Sequence, residues 1–105
     1  MFLVVYTTVK NEKDADTIAK ILVMEKLAAC VNYFPVISMY RWKNKMEKTK
    51  EVMLMCKTTG KNLKRLKKRI KEIHPYEIPE VITVKIYGGD KKFLDWVTDS
   101  VGCSA

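Results

Sequence analysis

The sequence has a single histidine, His74, and no pair of cysteines at the CxxC spacing. Its three cysteines, Cys30, Cys56 and Cys103, are odd in number and far apart, so neither a zinc knuckle nor a dithiol redox centre is encoded. Cys30 and Cys56 lie in apolar runs, where a reduced thiol behaves as a small buried hydrophobe, and Cys103 is expected to be exposed. A nucleophilic enzyme needs a base beside its serine, threonine or cysteine, and we find no such arrangement. We therefore expect a protein that is not an enzyme.

Long apolar runs, glycine-rich phosphate loops and arginine are also scarce. Residues 1–6 are apolar but too few for a signal peptide, so we expect a cytoplasmic protein with no membrane partner. The net charge is +8, yet only three of the 20 basic residues are arginine, the residue preferred for reading phosphates and bases. The third strand also lacks the stacking aromatics of an RNA-recognition sheet. Nucleic acid is therefore not an expected partner, and binding through the lysine-rich second helix is the weakest alternative.

The periodicity of the chain predicts one domain over residues 1–105 with four strands and three helices. Hydrophobic residues make up 48% of the chain, which is enough for a core. Residues 2–9, 30–42, 51–58 and 81–87 read as strands. Each helix has a candidate N-terminal cap: Asn11 or Asp14 for the first, Asn62 for the second and Asp90 for the third.

The order β-α-β-β-α-β with an added C-terminal helix predicts a ferredoxin-like α+β fold, in which two helices cover one face of an antiparallel sheet. Residues 2–9 are apolar on both faces and predict a central strand. Pro35 lacks an N–H donor and predicts an edge strand or a bulge. We expect the second face of the sheet to be bare, and its apolar side chains therefore predict self-association.

The segment from His74 to Glu80, HPYEIPE, concentrates chemical groups in a short connector. Pro75 and Pro79 fix the backbone, so His74, Tyr76 and Glu80 are held on a stiff loop. The plainer interpretation is a helix terminator that leads into a strand. In that case His74 satisfies carbonyls at the helix end or a carboxylate.

Motifs along nearly the whole chain are similar to those of the CutA family, the divalent-cation tolerance proteins. The matching segments are Val5–Thr8, Glu25–Asn32, Ser38–Trp42, Glu51, Cys56–Thr58, His74–Glu80 and Phe93–Trp96. The resemblance implies a ferredoxin-like subunit, a homotrimer joined through strand edges, and similarity to PII signalling proteins. It also implies a role in tolerance of copper and other divalent metals, without an established enzymatic reaction.

The resemblance also implies a metal site, with two departures from the family pattern. Copper is associated in the family with a cysteine in the first strand, the cysteine of the AAC segment and a histidine beside HPY. Thr7 occupies the first position here, and Ile73 precedes the single histidine. Cys30 and His74 remain as expected ligands, so we expect copper or another divalent cation to bind weakly.

An alternative function is a PII-like regulator or scaffold that binds a small anion or a protein partner in clefts between subunits. The residues expected to line that cleft are Tyr40, Trp42, Glu51, Lys57, Tyr76 and Glu80. The aromatic members fit trimer-interface packing as well. Lys57 with the two glutamates fits a structural ion pair equally well.

Overall fold

The computed structural model describes residues 1–102, so Cys103 and its expected exposure lie outside the described part of the chain. Four strands form one sheet in the order β2-β3-β1-β4, and every neighbouring pair is antiparallel. The predicted ferredoxin-like α+β fold is confirmed, and β1 is a central strand. The elements are β1 (Phe2–Val9), α1 (Glu12–Met24), β2 (Cys30–Trp42), β3 (Lys45–Thr59), α2 (Gly60–Ile73), β4 (Ile82–Ile86) and α3 (Lys91–Ser100).

Two of the three predicted helix caps are confirmed. The side chain of Asn11 accepts a hydrogen bond from the backbone N–H of Asp14, and Asp90 does the same for Phe93. The predicted cap Asn62 is wrong, because α2 begins earlier, with Thr59 at the N-cap position. Asn62 is buried in the first turn and donates to the Thr59 hydroxyl at 2.9 Å.

The main core lies between the sheet and the pair α1 and α2. Alternate residues of β1 and β3 face these helices, as the two-residue period of a strand requires. Val5, Leu54 and Cys56 are fully buried there against Leu22 and Ile70. Burial raises the pKa of the Cys56 thiol to about 12, so this cysteine stays protonated and inert.

The second face of the sheet is partly covered, which corrects the expectation that it is bare. Helix α3 packs across one end of it, where Val97 and Val101 form a small cluster with Ala29 and Phe2. Lys57 on the same face lies 5.8 Å from the ring centroid of Phe93. Apolar side chains elsewhere on this face remain exposed, among them Ile82 and Val84 of the edge strand β4.

Strands β2 and β3 form a hairpin that extends well past the rest of the sheet. β3 begins at Lys45, six residues earlier than predicted, and pairs with β2 in an unbroken register. Pro35 therefore lies on an edge strand without a bulge, opposite Val52. The pairing of β1 stops at Val52, so residues 36–51 form a two-stranded ribbon, which we call the hairpin arm. Lys43 and Asn44, both at positive φ, make its two-residue turn.

No helix among residues 1–102 has the length and apolar character needed to span a membrane.

Candidate functional site

A cleft of about 850 Å³ lies between the hairpin arm and the loop that follows α2. Residues of β2 and β3 form one wall, and residues 75–80 form the other. Five of the six residues expected in a ligand cleft line it: Tyr40, Trp42, Glu51, Tyr76 and Glu80. Whether a ligand binds between these walls stays a prediction.

A chain of three hydrogen bonds fixes the wall formed by the loop. His74 Nε2 lies 2.8 Å from the Thr8 carbonyl oxygen, and the Tyr76 backbone N–H donates to His74 Nδ1 at 3.1 Å. The Tyr76 hydroxyl then donates to Glu51 Oε2 at 2.6 Å. The loop is therefore hydrogen-bonded to β1 and to β3. Both connections are made by His74 and Tyr76 of the HPY sequence.

These bonds also set the protonation states at the cleft. A carbonyl only accepts, so the bond to Thr8 places the His74 proton on Nε2, and Nδ1 must be bare to accept from Tyr76. Burial lowers the pKa of His74 and so favours this neutral ring. Burial and the carboxylate of Glu51 raise the pKa of Tyr76, which remains a donor throughout the physiological range.

Lys57, the sixth expected cleft residue, lies elsewhere. It is six residues from Glu51 along β3, a distance of about 20 Å. Its ammonium donates to Asn32 Oδ1 at 2.7 Å, and the Cys30 thiol is 3.6 Å from the same oxygen. Lys57 therefore belongs to a polar group near α3, and within one subunit it forms no ion pair with Glu51 or Glu80. An ion pair between subunits stays a prediction.

The two expected metal ligands do not come together within one subunit. Cys30 pairs with Lys57, whereas Thr8, the partner of His74, pairs with Met53, which is four residues or about 13 Å away along β3. Both ring nitrogens of His74 already take part in hydrogen bonds. Cys30 is half-buried rather than fully buried. Among residues 1–102 no three His, Cys, Asp or Glu side chains cluster as a metal centre would require.

Sequence reasoning missed several polar residues of the cleft. Thr8, Lys10, Thr49 and Lys50 line it, and the Thr49 hydroxyl is buried without a hydrogen-bond partner in the part of the chain that the structure describes. Only the register of the hairpin could have located Thr49 and Lys50, because they precede the segment predicted as a strand. The carbonyl of Thr8 has no sequence signal at all.

The fold and the cleft define a small ferredoxin-like protein that presents aromatic and acidic side chains at one end of its sheet. The family model described as "CutA1 divalent ion tolerance protein" matches residues 3–100, so the chain belongs to the CutA1 family. The resemblance seen in the sequence is thereby confirmed.

Relatives and solved structures agree with this assignment. The divalent-cation tolerance protein CutA of Thermus thermophilus is 44% identical over 100 residues, which cover 94% of this chain and 97% of that protein. A CutA homolog of Xenopus laevis is 45% identical over 97 residues, but the match spans only 64% of its length and 91% of this chain. The solved structure of the Thermus protein superposes with a TM-score of 0.92 and 44% identity, covering 97% of this chain and all of that one.

Proposed function

We propose that this protein serves divalent-cation tolerance by binding and not by catalysis, and that it holds copper-class ions weakly. The family match over residues 3–100 carries the proposal. The dispersal of donors supports weak binding, since tight sites for soft metals need converging thiolates and imidazoles. Cys30 is the half-buried soft ligand, and His74 can ligate only after it releases Thr8 or Tyr76.

Self-association is part of the proposal, and we propose a cytoplasmic homotrimer. The outer edges of β2 and β4 have no strand partner among residues 1–102. A two-stranded ribbon such as the hairpin arm is marginal by itself in water. The arm also exposes Ile37 and Met39 by 65% and 63%, which supports their burial by a second copy.

Calorimetric titration tests the metal proposal. Cu(II), and Cu(I) under anaerobic reducing conditions, would be titrated into the wild type and the Cys30→Ser, His74→Gln and Cys103→Ser variants. We expect weak saturable binding that Cys30→Ser abolishes and that the matched control Cys103→Ser leaves unchanged. Binding should weaken as the pH falls, because ligands must be deprotonated.

The same titration separates two ligand assignments. If only Cys30→Ser abolishes binding, the thiol is the sole side-chain ligand; if His74→Gln abolishes it as well, the pair is assigned. Copper binding that is unchanged in both the Cys30→Ser and the His74→Gln variants contradicts the metal proposal.

The second candidate function is a PII-like regulator that binds a small anion or a protein partner at the cleft. The Thr49 hydroxyl is buried without a hydrogen-bond partner among residues 1–102, and this favours the candidate because such a group needs a partner. Lys10 and Lys50 also line the cleft. Copper binding that does not depend on Cys30 would favour this second candidate, and small anions would then be titrated into the protein.

A further inference from the structure

The charge of this protein is concentrated on one helix. Between Gly60 and Ile73, α2 has seven basic residues and one acidic residue, hence a net charge of +6 in a chain whose total is +8. Four exposed lysines, Lys64, Lys67, Lys68 and Lys71, surround a shallow depression together with Glu72. The function proposed above uses none of these residues.

The lysines of this depression lie close together without neutralisation. Lys64 is three and four residues from Lys67 and Lys68, and Lys71 is four and three residues from the same two, so each pair lies together on the helix surface, where like charges repel. None of the four has a salt-bridge partner within residues 1–102, whereas Arg69 on the same helix pairs with Glu25 and Glu72. A merely solvated face would be served by mixed signs, as on α1, which has three acidic and two basic residues.

The shape of this positive surface favours a linear anion over a membrane. α2 is 14 residues long, so the basic stripe extends about 21 Å and is one helix wide. The neighbouring helix α1 carries a net charge of −1 and would face a lipid surface together with α2. The apolar residues of α2 face the core and not a lipid surface: Leu66 and Ile70 are fully buried, and Leu63 and Ile73 are partly buried against the same cluster.

The side chains on the exposed face of α2 favour a ligand made of phosphate without bases over a nucleic acid. The exposed face of α2 has no aromatic residue on which a base could stack, and stacking is what single-stranded binders use. Lysine acts as a point charge that binds phosphate without needing a fixed orientation. We propose that the basic face of α2 binds linear inorganic polyphosphate. Phosphate oxygens are good ligands for hard divalent cations, so such a chain would bring cations to the protein independently of Cys30.

The test measures binding of end-labelled inorganic polyphosphate to the full chain by fluorescence anisotropy. The variant Lys64→Gln/Lys68→Gln/Lys71→Gln would be compared with the control Lys13→Gln/Lys85→Gln/Lys92→Gln, which removes the same charge from exposed lysines outside α2 that have no salt bridge among the described residues. We expect at least a tenfold loss of affinity in the α2 variant, and about a twofold change or less in the control. Removing three phosphate contacts should also lower the slope of log K against log salt by about 2, at roughly 0.7 per contact.

Three outcomes would overturn the proposal. One is an equal loss of affinity in both variants, which would mean attraction by net charge alone. Another is no loss in the α2 variant. The third is equal or tighter binding of an oligothymidylate with the same number of phosphates, or of vesicles containing phosphatidylserine. Thermal unfolding of both variants would verify that each is folded, and neutralising α2 relieves repulsion, so loss of folding is not expected.

Discussion

At the scale of single residues, His74 holds the cleft in place. Its exposed fraction is 9%, and its two nitrogens join β1 to the backbone of the loop that carries Tyr76. Protonation would place a hydrogen on Nδ1, which could then no longer accept from Tyr76. The wall of the cleft is therefore sensitive to acid through one imidazole ring.

This arrangement predicts that stability falls as the pH drops from 7.5 to 5.5. Burial depresses the folded-state pKa of His74 below the unfolded value of about 6.5, so the unfolded chain binds more protons in this window. Stability is thus fully present above the unfolded pKa and is lost as the pH falls towards the folded one. Urea denaturation at both pH values measures the loss, since His74 is the only histidine.

His74→Gln provides the control for that measurement. Glutamine can still donate to the Thr8 carbonyl but does not titrate, so the variant should be less stable than the wild type at pH 7.5 and nearly independent of pH over this window. An unchanged pH dependence in the variant would assign the effect to another group.

Residue identity indicated the cleft but not its hydrogen bonds. Five of the residues expected in a cleft between subunits line the cleft of this single subunit, and whether a second subunit completes it stays a prediction. Lys57 lies about 20 Å from Glu51 along the strand that they share within one subunit, so its place in a cleft between subunits stays a prediction. The acceptor of His74 is a main-chain carbonyl of β1, and any residue type supplies such a carbonyl.

At the scale of elements, the lysines of α2 give it a positively charged surface, and the repulsion between them lowers the stability of the helix. Lys64 has Lys61 and Lys67 three residues away on either side and Lys68 four residues ahead. Each like-charge pair destabilises an isolated helix by roughly 0.2–0.5 kcal/mol. Selection for stability alone would favour an acidic residue at this position.

Lys64→Glu is therefore expected to stabilise the protein. Reversing three repulsive pairs should contribute about 1 kcal/mol, which corresponds to a rise in Tm of roughly 4–8 °C for a domain of this size. Calorimetry at low salt measures the rise, and about 1 M salt should reduce it by screening. The matched control Lys85→Glu reverses an exposed charge on β4, outside any helix, and should give no comparable gain. An equal gain in both variants would point to net charge and not to helical neighbours.

Element types were predictable from periodicity, whereas some of their ends and positions were not. Asn62 is a good cap residue by type, but the helix begins earlier because the chain enters α2 directly from β3 at Thr59. Residues 45–50 hold three lysines and only one apolar side chain, Met46, so they show no apolar face, and only pairing with β2 reveals them as a strand. The position of α3 on the second face depends on Val97 meeting Ala29 and Phe2, which no local pattern encodes.

At the scale of the whole molecule, the subunit is elongated and incompletely paired. Its principal extents are 45 × 26 × 21 Å, and the hairpin arm lies beyond the pairing of β1. Exposed apolar residues occur on both faces of the arm, with Ile37, Met39 and Met46 on one and Tyr40 and Trp42 on the other. A ribbon with two apolar faces is stable in water when another chain covers it, which is the physical basis for the proposed trimer.

The last prediction concerns this arm. Ile37→Asp should convert the trimer, with three times the subunit mass of 12.2 kDa, into monomers, because a buried unpaired carboxylate at an interface is strongly unfavourable. Analytical ultracentrifugation measures the mass. Met24→Asp is the matched control, since Met24 is exposed by 79% at the end of α1 and far from the arm along the chain, and it should remain trimeric. A monomeric wild type, or an Ile37→Asp variant that stays trimeric, would contradict assembly through the arm. The apolar faces of the arm would then be expected to bind a different protein partner.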